Sequence, residues 1–389
     1  MKQSIVTFFP VGEKNGGIIL LRLNDAYNTT ILVDSCIGDE PIASHCDVAQ
    51  ELIDRLPLDS EERPFVDAFI LTHRHMDHLQ GIQQYFYLGS VSDYPKPNDD
   101  EVPKAIIQEL WSSHRVWKEA SASYELCDDA KAFNNEMKRR VELFNESSVI
   151  QSEGDRAIIV GKDPGGKCDG LEPITYEIED VFTRINTRDI SSKLQGRILG
   201  PLYQQKDEVE EAFNDKNRQS IVIQMTIKEG EYDNKMLLAA DAECLVWEIL
   251  WNLYKSDTEK LEYDILQAPH HCSWHALSYD SQTRDENPKV CVGAKLALSQ
   301  ARIGACIVSQ SKPIINNDSD PPSRAAMDEY LTIVDKERFY CTNEYPNIEK
   351  PEPLEFNMTS GGPQKKGIKE KSKLSVAALA STKESYPHG

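Results

Sequence analysis

Phe69-Ile70-Leu71-Thr72-His73-Arg74-His75-Met76-Asp77-His78 is the stretch of this 389-residue sequence that decides its fold. It begins as an apolar run that predicts a buried strand, and it continues directly into three histidines and an aspartate. His73 and His75, two residues apart on an extended or turning backbone, can face one metal ion. Asp77 and His78 can reach a neighbouring point once the chain bends. Three of the nine histidines lie within the six residues from His73 to His78, so the clustering predicts a site for two metal ions.

Other apolar strands of the sequence also end in side chains that can hold or orient a metal. They end at Asp34, at Asp241, and at the pair His270 and His271. Taken alone, Asp34 would be a turn residue and Asp241 a helix N-cap, since a helical pattern over residues 242–254 follows it. In layered α/β folds the strand ends at one edge of the sheets lie close together, so these separate segments can converge.

The rest of the pattern predicts an α/β protein with a middle segment inserted between the parts of the site. The longest helical pattern covers residues 104–144, and we predict a helical insertion over residues 100–150. From Thr359 the sequence becomes Lys-rich, so residues 1–358 are predicted to form one domain and residues 359–389 a disordered tail. The predicted strands span residues 4–9, 17–23, 30–33, 66–71, 157–160, 196–201, 220–227, 236–240, 263–267 and 302–309, and the other predicted helices span residues 47–56, 79–88, 242–254, 290–299 and 322–334.

Composition limits the classes of partner and compartment. The formal net charge is −21, so the protein repels polyanions at long range, and a nucleic-acid substrate would need a basic lining or bound cations. The apolar runs near the start are of strand length, too short to span a bilayer, and no signal peptide pattern precedes them. Nine cysteines without a CxxC pair predict reduced thiols. These features predict a cytoplasmic protein without membrane association.

The segment from His73 to His78 matches the HxHxDH signature of metallo-β-lactamase-fold hydrolases, and Asp34, Asp241 and His271 follow the order of that fold's other motifs. Within this superfamily the chain resembles the hydrolase domain of bacterial competence DNA-uptake proteins and related stand-alone phosphodiesterases. The resemblance covers roughly residues 1 to 345. The further stretches that carry it are residues 198–201 (ILGP), 217–222 (NRQSIV), 237–243 (LLAADAE) and 268–273 (APHHCS).

The resemblance implies a four-layer αββα sandwich around a centre of two divalent metal ions, zinc or manganese. Asp241 would bridge the ions, and Asp34 would orient the cluster through hydrogen bonds from outside it. His270 would contact a substrate phosphate or the leaving group. The implied ligands are His73 and His75 for the first ion, Asp77, His78 and His271 for the second, and Asp241 for both.

Three positions depart from the usual family pattern. Ala240 replaces a glycine before the bridging aspartate, and Cys272 replaces a glycine after the double histidine. Many members also supply an additional histidine to the first ion. The only histidine of this sequence between the HxHxDH segment and Asp241 is His114, whose helical context favours an ordinary structural histidine.

These residues predict metal-dependent hydrolysis of a phosphodiester, nucleic acid included, by a hydroxide between the ions, with Asp77 or Asp241 accepting its proton. The alternative within enzymes is hydrolysis of a small ester, lactone or phosphocholine-like substrate. A di-iron oxidoreductase is less favoured, because that branch typically has glutamate at the position of His75. A metal-bearing interaction module is the third alternative, with a protein partner at the inserted helix or the Lys-rich tail. Six candidate ligands exceed the four of a closed structural zinc site and favour catalysis.

Overall fold

The structure is a computed structural model that describes residues 2–12, 14–38, 46–95, 103–118, 126–161, 168–202, 217–317 and 319–367. Its helices are α1 (Val48–Ile53), α2 (Ile82–Tyr85), α3 (His114–Lys118), α4 (Asp128–Ser147), α5 (Cys244–Tyr254), α6 (Val292–Leu298) and α7 (Arg324–Tyr330). Its strands are β1 (Ile5–Phe8), β2 (Ile19–Arg22), β3 (Thr30–Val33), β4 (Ser35–Cys36), β5 (Phe65–Ile70), β6 (Leu79–Gln80), β7 (Phe86–Tyr87), β8 (Ala105–Ser113), β9 (Arg156–Val160), β10 (Thr175–Tyr176), β11 (Val181–Phe182), β12 (Arg184–Ile185), β13 (Arg188–Asp189), β14 (Leu194–Ile198), β15 (Ile223–Glu229), β16 (Tyr232–Leu238), β17 (Tyr263–Gln267), β18 (Ala301–Ser309), β19 (Phe339–Cys341), β20 (Leu354–Asn357) and β21 (Gln364–Lys365).

Two mixed sheets form the centre of the molecule. The first has the order β10-β9-β8-β5-β3-β2-β1-β20-β21, with β7 also beside β8, and the second has the order β11-β14-β15-β16-β17-β18-β19. Strands β3, β5, β8 and β9 are parallel in the first sheet, as are β16 to β19 in the second. Carboxyl ends of parallel strands share one edge of a sheet, and ligand sites of α/β folds lie at that edge.

The sheets pack face to face, and helices cover their outer faces. In β5, Ala68 and Ile70 belong to the core between the sheets, whereas Phe69 belongs to the core under α1 and α4. This alternation follows from the two-residue period of a strand. On the second sheet, Trp247 of α5 and Ala297 of α6 pack over the outer face. The result is an α/β sandwich with the layers helix, sheet, sheet and helix.

Most of the predicted strands are confirmed, and three strands near the carboxyl end were not predicted. The unpredicted strands are β19, β20 and β21, and β20 pairs with β1 in antiparallel register. Predicted helices 47–56, 242–254, 290–299 and 322–334 are also confirmed with shorter bounds. Among the described helices, none has the length and apolar composition needed to cross a membrane.

The structure corrects the helix predicted over residues 104–144. Ala105–Ser113 form β8, which is buried along its whole length and paired with β5 and β9. A strand buried on both faces has no alternation of apolar and polar residues, and its Gln, Glu and Leu residues favour a helix when local preference alone is considered. The middle segment therefore contributes a strand to the first sheet, together with α3 and α4.

Two further predictions change. The helix predicted over residues 79–88 is wrong, because this segment is β6, the single turn α2 and β7. The tail predicted from Thr359 overlaps the first sheet, because Gln364 and Lys365 form β21 against β20 and Lys366 pairs with Glu355. Residues 368–389 lie outside the described residues.

Candidate metal centre

The ends of four parallel strands bring the predicted site residues together. Asp34 follows β3, and its backbone N–H donates to the Ile70 carbonyl at the end of β5 (3.0 Å). After β5 the chain extends through the His73 segment and closes in a 3₁₀ turn over Met76–His78. Asp241 lies three residues beyond β16, and the 3₁₀ turn Pro269–His271 follows β17.

The structure groups the six predicted ligands into two sets that share Asp241. Within each set the candidate ligand atoms lie within 4.8 Å of one another. The sets are Asp77, His78, Asp241 and His271 in one, and His73, His75 and Asp241 in the other.

The two carboxylate oxygens of Asp241 face different sets. Its Oδ1 lies 3.3 Å from His78 Nε2 and 3.4 Å from His271 Nε2. Its Oδ2 lies 3.4 Å from His73 Nε2, which is 3.1 Å from His75 Nδ1. This is the arrangement expected of a carboxylate that bridges two ligand sets.

Hydrogen bonds on the outer side of each buried imidazole orient its inner nitrogen. His78 Nδ1 donates to Asp34 Oδ2 (2.7 Å), and His271 Nδ1 donates to the Gln310 carbonyl (2.9 Å). His73 Nδ1 lies 3.2 Å from the Thr72 hydroxyl, which itself donates to Asp34. Because Nδ1 carries the proton in each hydrogen bond, the Nε2 lone pair is left for the centre of the cluster.

A divalent cation fits this donor set. His78 Nε2 and His271 Nε2 face each other at 3.2 Å, an approach that two lone pairs make favourably only around a shared cation or proton. Asp241 Oδ1 is buried and accepts no hydrogen bond from the residues that the structure describes. Imidazole nitrogens and carboxylate oxygens are the ligands of zinc and manganese sites. These residues can therefore hold a metal ion.

The carboxylates hold positive charge on the cluster even without a metal. Burial lowers the pKa of His271, but Asp241 and Asp77 more than offset it and raise the pKa to about 9. Burial acts against the Asp241 carboxylate as well, yet the surrounding histidines hold its pKa well below the usual value. For Asp77, burial is likewise outweighed by His78 and His271, and its pKa is lowered. Bound cations would replace the protons that balance these carboxylates.

Asp34 is placed to orient the ligands from outside the cluster. Its Oδ1 accepts from the Thr72 N–H and its Oδ2 from the Thr72 hydroxyl, both at 2.7 Å, in addition to the bond from His78. Asp34 is 1% exposed. A buried carboxylate with these bonds fixes both the backbone before His73 and the ring of His78.

His270 lies beside the two ligand sets and belongs to neither. Its Nε2 is 3.9 Å from Asp241 Oδ2 and 3.4 Å from the Asn217 amide, while its Nδ1 is 3.8 Å from Glu243 Oε1. Asn217 also donates to Glu243 (3.0 Å). The His270 side chain is 15% exposed, so it can contact a bound molecule.

Left-handed backbone occurs at His271, a candidate ligand, and at four residues that lie next to candidate ligands or orient them. His270, His271 and Cys272 have φ values of 48°, 54° and 66°, and Ala240 and Asp34 have φ values of 47° and 59°. Residues other than glycine adopt this region at a cost, and such strain clusters at functional sites.

Several residues that hold the site were not predicted. Thr72, Gln267 and Gln310 act through tertiary hydrogen bonds that no local pattern encodes. Asn217 and Glu243 lie within motif stretches that the sequence identifies, but the sequence assigns them no role. His114, at the start of α3, is buried and lies in neither ligand set.

Comparisons with known proteins give a limited result. No protein-family model matches the chain, and no curated protein matches it. Among solved structures, unliganded yeast PDE1 is similar at a TM-score of 0.39 and 10% identity, over 88% of this chain and 98% of that chain.

Proposed function

We propose that this protein is a metal-dependent hydrolase of the metallo-β-lactamase fold that cleaves phosphodiesters with a centre of two divalent ions. One observation carries the proposal: two ligand sets share Asp241, and each of its oxygens faces one set. Two-metal sites of this kind suit phosphodiester hydrolysis, because charge develops on both the attacking and the leaving oxygen. The resemblance to competence-type hydrolase domains is part of the same proposal.

The residues would share the work as follows. Zinc or manganese held by the two sets would neutralise charge on a phosphoryl oxygen and make water more acidic. Asp34 fixes His78, so the rings keep their orientation as substrate enters. The Asp77 side chain is 35% exposed, against 1% for Asp241, so Asp77 is the better placed carboxylate to accept a proton from attacking water. His270 would donate a hydrogen bond to a phosphate oxygen or the leaving group.

The charge of the protein distinguishes small phosphodiesters from long nucleic acids as substrates. The net charge of −21 disfavours long polyanions unless cations intervene, which favours a small phosphodiester over duplex nucleic acid. Hydrolysis of a small ester, lactone or phosphocholine-like substrate is the alternative on the same centre.

The test is a substrate panel on protein loaded with Zn²⁺ or Mn²⁺. The panel contains bis-p-nitrophenyl phosphate, single-stranded and duplex DNA, RNA, p-nitrophenyl acetate and p-nitrophenylphosphocholine. We expect turnover of bis-p-nitrophenyl phosphate and its loss, by roughly 100-fold or more, in Asp77→Asn. Asp233→Asn, an exposed aspartate of β16, is the matched control and should keep wild-type activity. Turnover of the acetate or phosphocholine compound alone would favour the alternative, and no turnover with intact metal binding would favour a non-catalytic module.

Compartment and partners belong to the same proposal. All nine cysteines are free thiols, as expected in a reducing compartment, and we place the protein in the cytoplasm. A protein partner would bind the exposed side of α4 or the Lys-rich tail. Loss of a co-purified partner on removal of residues 368–389 would assign it to the tail.

A further inference from the structure

We propose that Gln267 and Gln310 are positioning residues that hold the turn of Asp241, the ring of His271 and the first sheet in one hydrogen-bonded relay. This inference rests on the metal centre of the proposed function. Both glutamines are buried, with 3% and 1% exposure. Buried side-chain amides occur where a specific set of partners satisfies them.

The hydrogen bonds of the relay run in one direction. Gln267 Oε1 accepts from the N–H groups of Ala239 and Ala240, both at 3.2 Å. Its Nε2 donates to Gln310 Oε1 (3.3 Å), and Gln310 Nε2 donates to the Ile18 carbonyl (3.0 Å). Because backbone N–H groups only donate and carbonyls only accept, both ends of the relay fix the orientation of both amides.

The relay contacts the turn that carries Asp241 and the ring of His271. Ala239 and Ala240 immediately precede Asp241, and Ala240 has the left-handed φ of 47°. The backbone carbonyl of Gln310 accepts from His271 Nδ1 (2.9 Å), so the same residue orients the last ligand. Gln267 therefore holds the backbone before Asp241. Gln310 holds His271, whose Nε2 lies 3.4 Å from Asp241 Oδ1.

The relay also joins the two sheets at the site. Gln267 ends β17 and Gln310 follows β18 in the second sheet, whereas Ile18 precedes β2 in the first. A Cβ at Gly17 would lie 2.9 Å from Gln310 Oε1, so the absence of a side chain there permits this close approach. His73 to His78 come from the first sheet and Asp241 and His271 from the second, so the relay fixes their separation.

Three single variants, the double variant of Gln267→Met and Gln310→Met, and one control test the proposal. Gln267→Met and Gln310→Met keep side-chain volume and remove the amides, while Gln267→Glu keeps an acceptor for Ala239 and Ala240. The control is Asn234→Leu, which removes a buried amide of β16 that bonds the Ile227 and Thr359 carbonyls at the opposite end of the strand. Zn²⁺ affinity is measured by competition with a chromophoric chelator, and unfolding of the metal-free proteins is measured in parallel.

We expect Gln267→Met and Gln310→Met to bind Zn²⁺ roughly 10- to 100-fold more weakly than wild type, the range for residues that orient metal ligands. Gln267→Glu should lose less Zn²⁺ affinity than Gln267→Met. The double Met variant should lose less binding free energy than the sum of the losses in the two single Met variants. Asn234→Leu should lower stability without lowering affinity. Folded Met variants with wild-type Zn²⁺ affinity, or with a loss no larger than that of Asn234→Leu, would overturn the relay. Wild-type protein that binds neither Zn²⁺ nor Mn²⁺ would overturn the proposed function as well.

Discussion

Ala240 carries a backbone conformation that an alanine ordinarily avoids. Its φ of 47° places it in the left-handed region, and its Cβ is buried. The left-handed conformation costs a residue with a Cβ roughly 1 to 2 kcal/mol, and glycine avoids most of that cost. The chain therefore accepts strain one residue before the aspartate that both ligand sets share.

Ala240→Gly should consequently be neutral or stabilising. The relief of strain offsets the roughly 1 to 2 kcal/mol normally lost when a buried alanine becomes glycine. Ala239→Gly, at an equally buried neighbour with φ outside the positive range, should lose that amount. Urea unfolding of the metal-free proteins measures both, and an equal loss in the two variants would contradict the argument.

Glu109 is a second residue in an unfavourable environment, because its buried position disfavours the ionised carboxylate. It lies within β8, accepts from Trp111 Nε1 (2.7 Å), and burial raises its pKa to about 7. The folded-state pKa lies above the ordinary value of 4.5, so the contribution of Glu109 to stability is complete below about pH 4.5 and is lost as pH rises through 7. The loss amounts to about 3 kcal/mol at most.

Glu109→Gln should therefore flatten the dependence of unfolding free energy on pH between 5 and 8. The variant should gain relative stability as pH rises, because the amide remains neutral. Glu146→Gln, an exposed residue of α4, serves as the control and should follow the wild-type curve. A Glu109→Gln curve parallel to wild type across this interval would show that Glu109 does not titrate there.

At the scale of elements, the buried guanidinium of Arg140 joins α4 to the first sheet through hydrogen bonds. Arg140 is 1% exposed; its Nε donates to Glu136 (2.7 Å), and its terminal nitrogens donate to the carbonyls of Arg156 and Ile107 (both 3.0 Å). Ile107 belongs to β8 and Arg156 to β9. A single side chain thus links the helix to two adjacent strands.

Arg140→Met should destabilise the protein by about 3 kcal/mol or more, because a buried carboxylate and two carbonyls lose a partner. Lys138→Met, two residues earlier on the exposed side of α4, should change stability by about 0.5 kcal/mol or less. Chemical denaturation gives both values. Similar small changes in the two variants would mean that Arg139, which also pairs with Glu136, takes over the role.

Elements differ in how far the sequence predicts them. β3 and β17 were predicted with their observed bounds, because short apolar runs there end at turn or ligand residues. β8 was not predicted, because its burial on both faces arises from α4 and from the second sheet, which are distant in sequence. The six candidate ligands were predicted from local motifs, whereas the hydrogen bonds of Gln267 and Gln310 form only when both sheets are assembled.

At the scale of the whole molecule, the candidate ligands come from both sheets, so a bound metal should stabilise the entire fold. Zn²⁺ at 100 times its dissociation constant should raise the free energy of unfolding by about 2.7 kcal/mol. Asp241→Asn, which weakens both ligand sets, should remove most of this gain, and Asp233→Asn should keep it. Thermal unfolding with Zn²⁺ or with a chelator measures the difference. An equal gain in Asp241→Asn would place the stabilising ion elsewhere.

The pairing of β1 with β20 has a consequence for how the protein is made. Ile5 lies opposite Asn357, so strand β1 cannot complete its hydrogen bonding until the ribosome has released residues about 350 positions later. Pairings this distant in sequence close late and slow folding. Until β20 is synthesised, the outer edge of β1 is open to pairing with other chains, which is the contact that leads to aggregation.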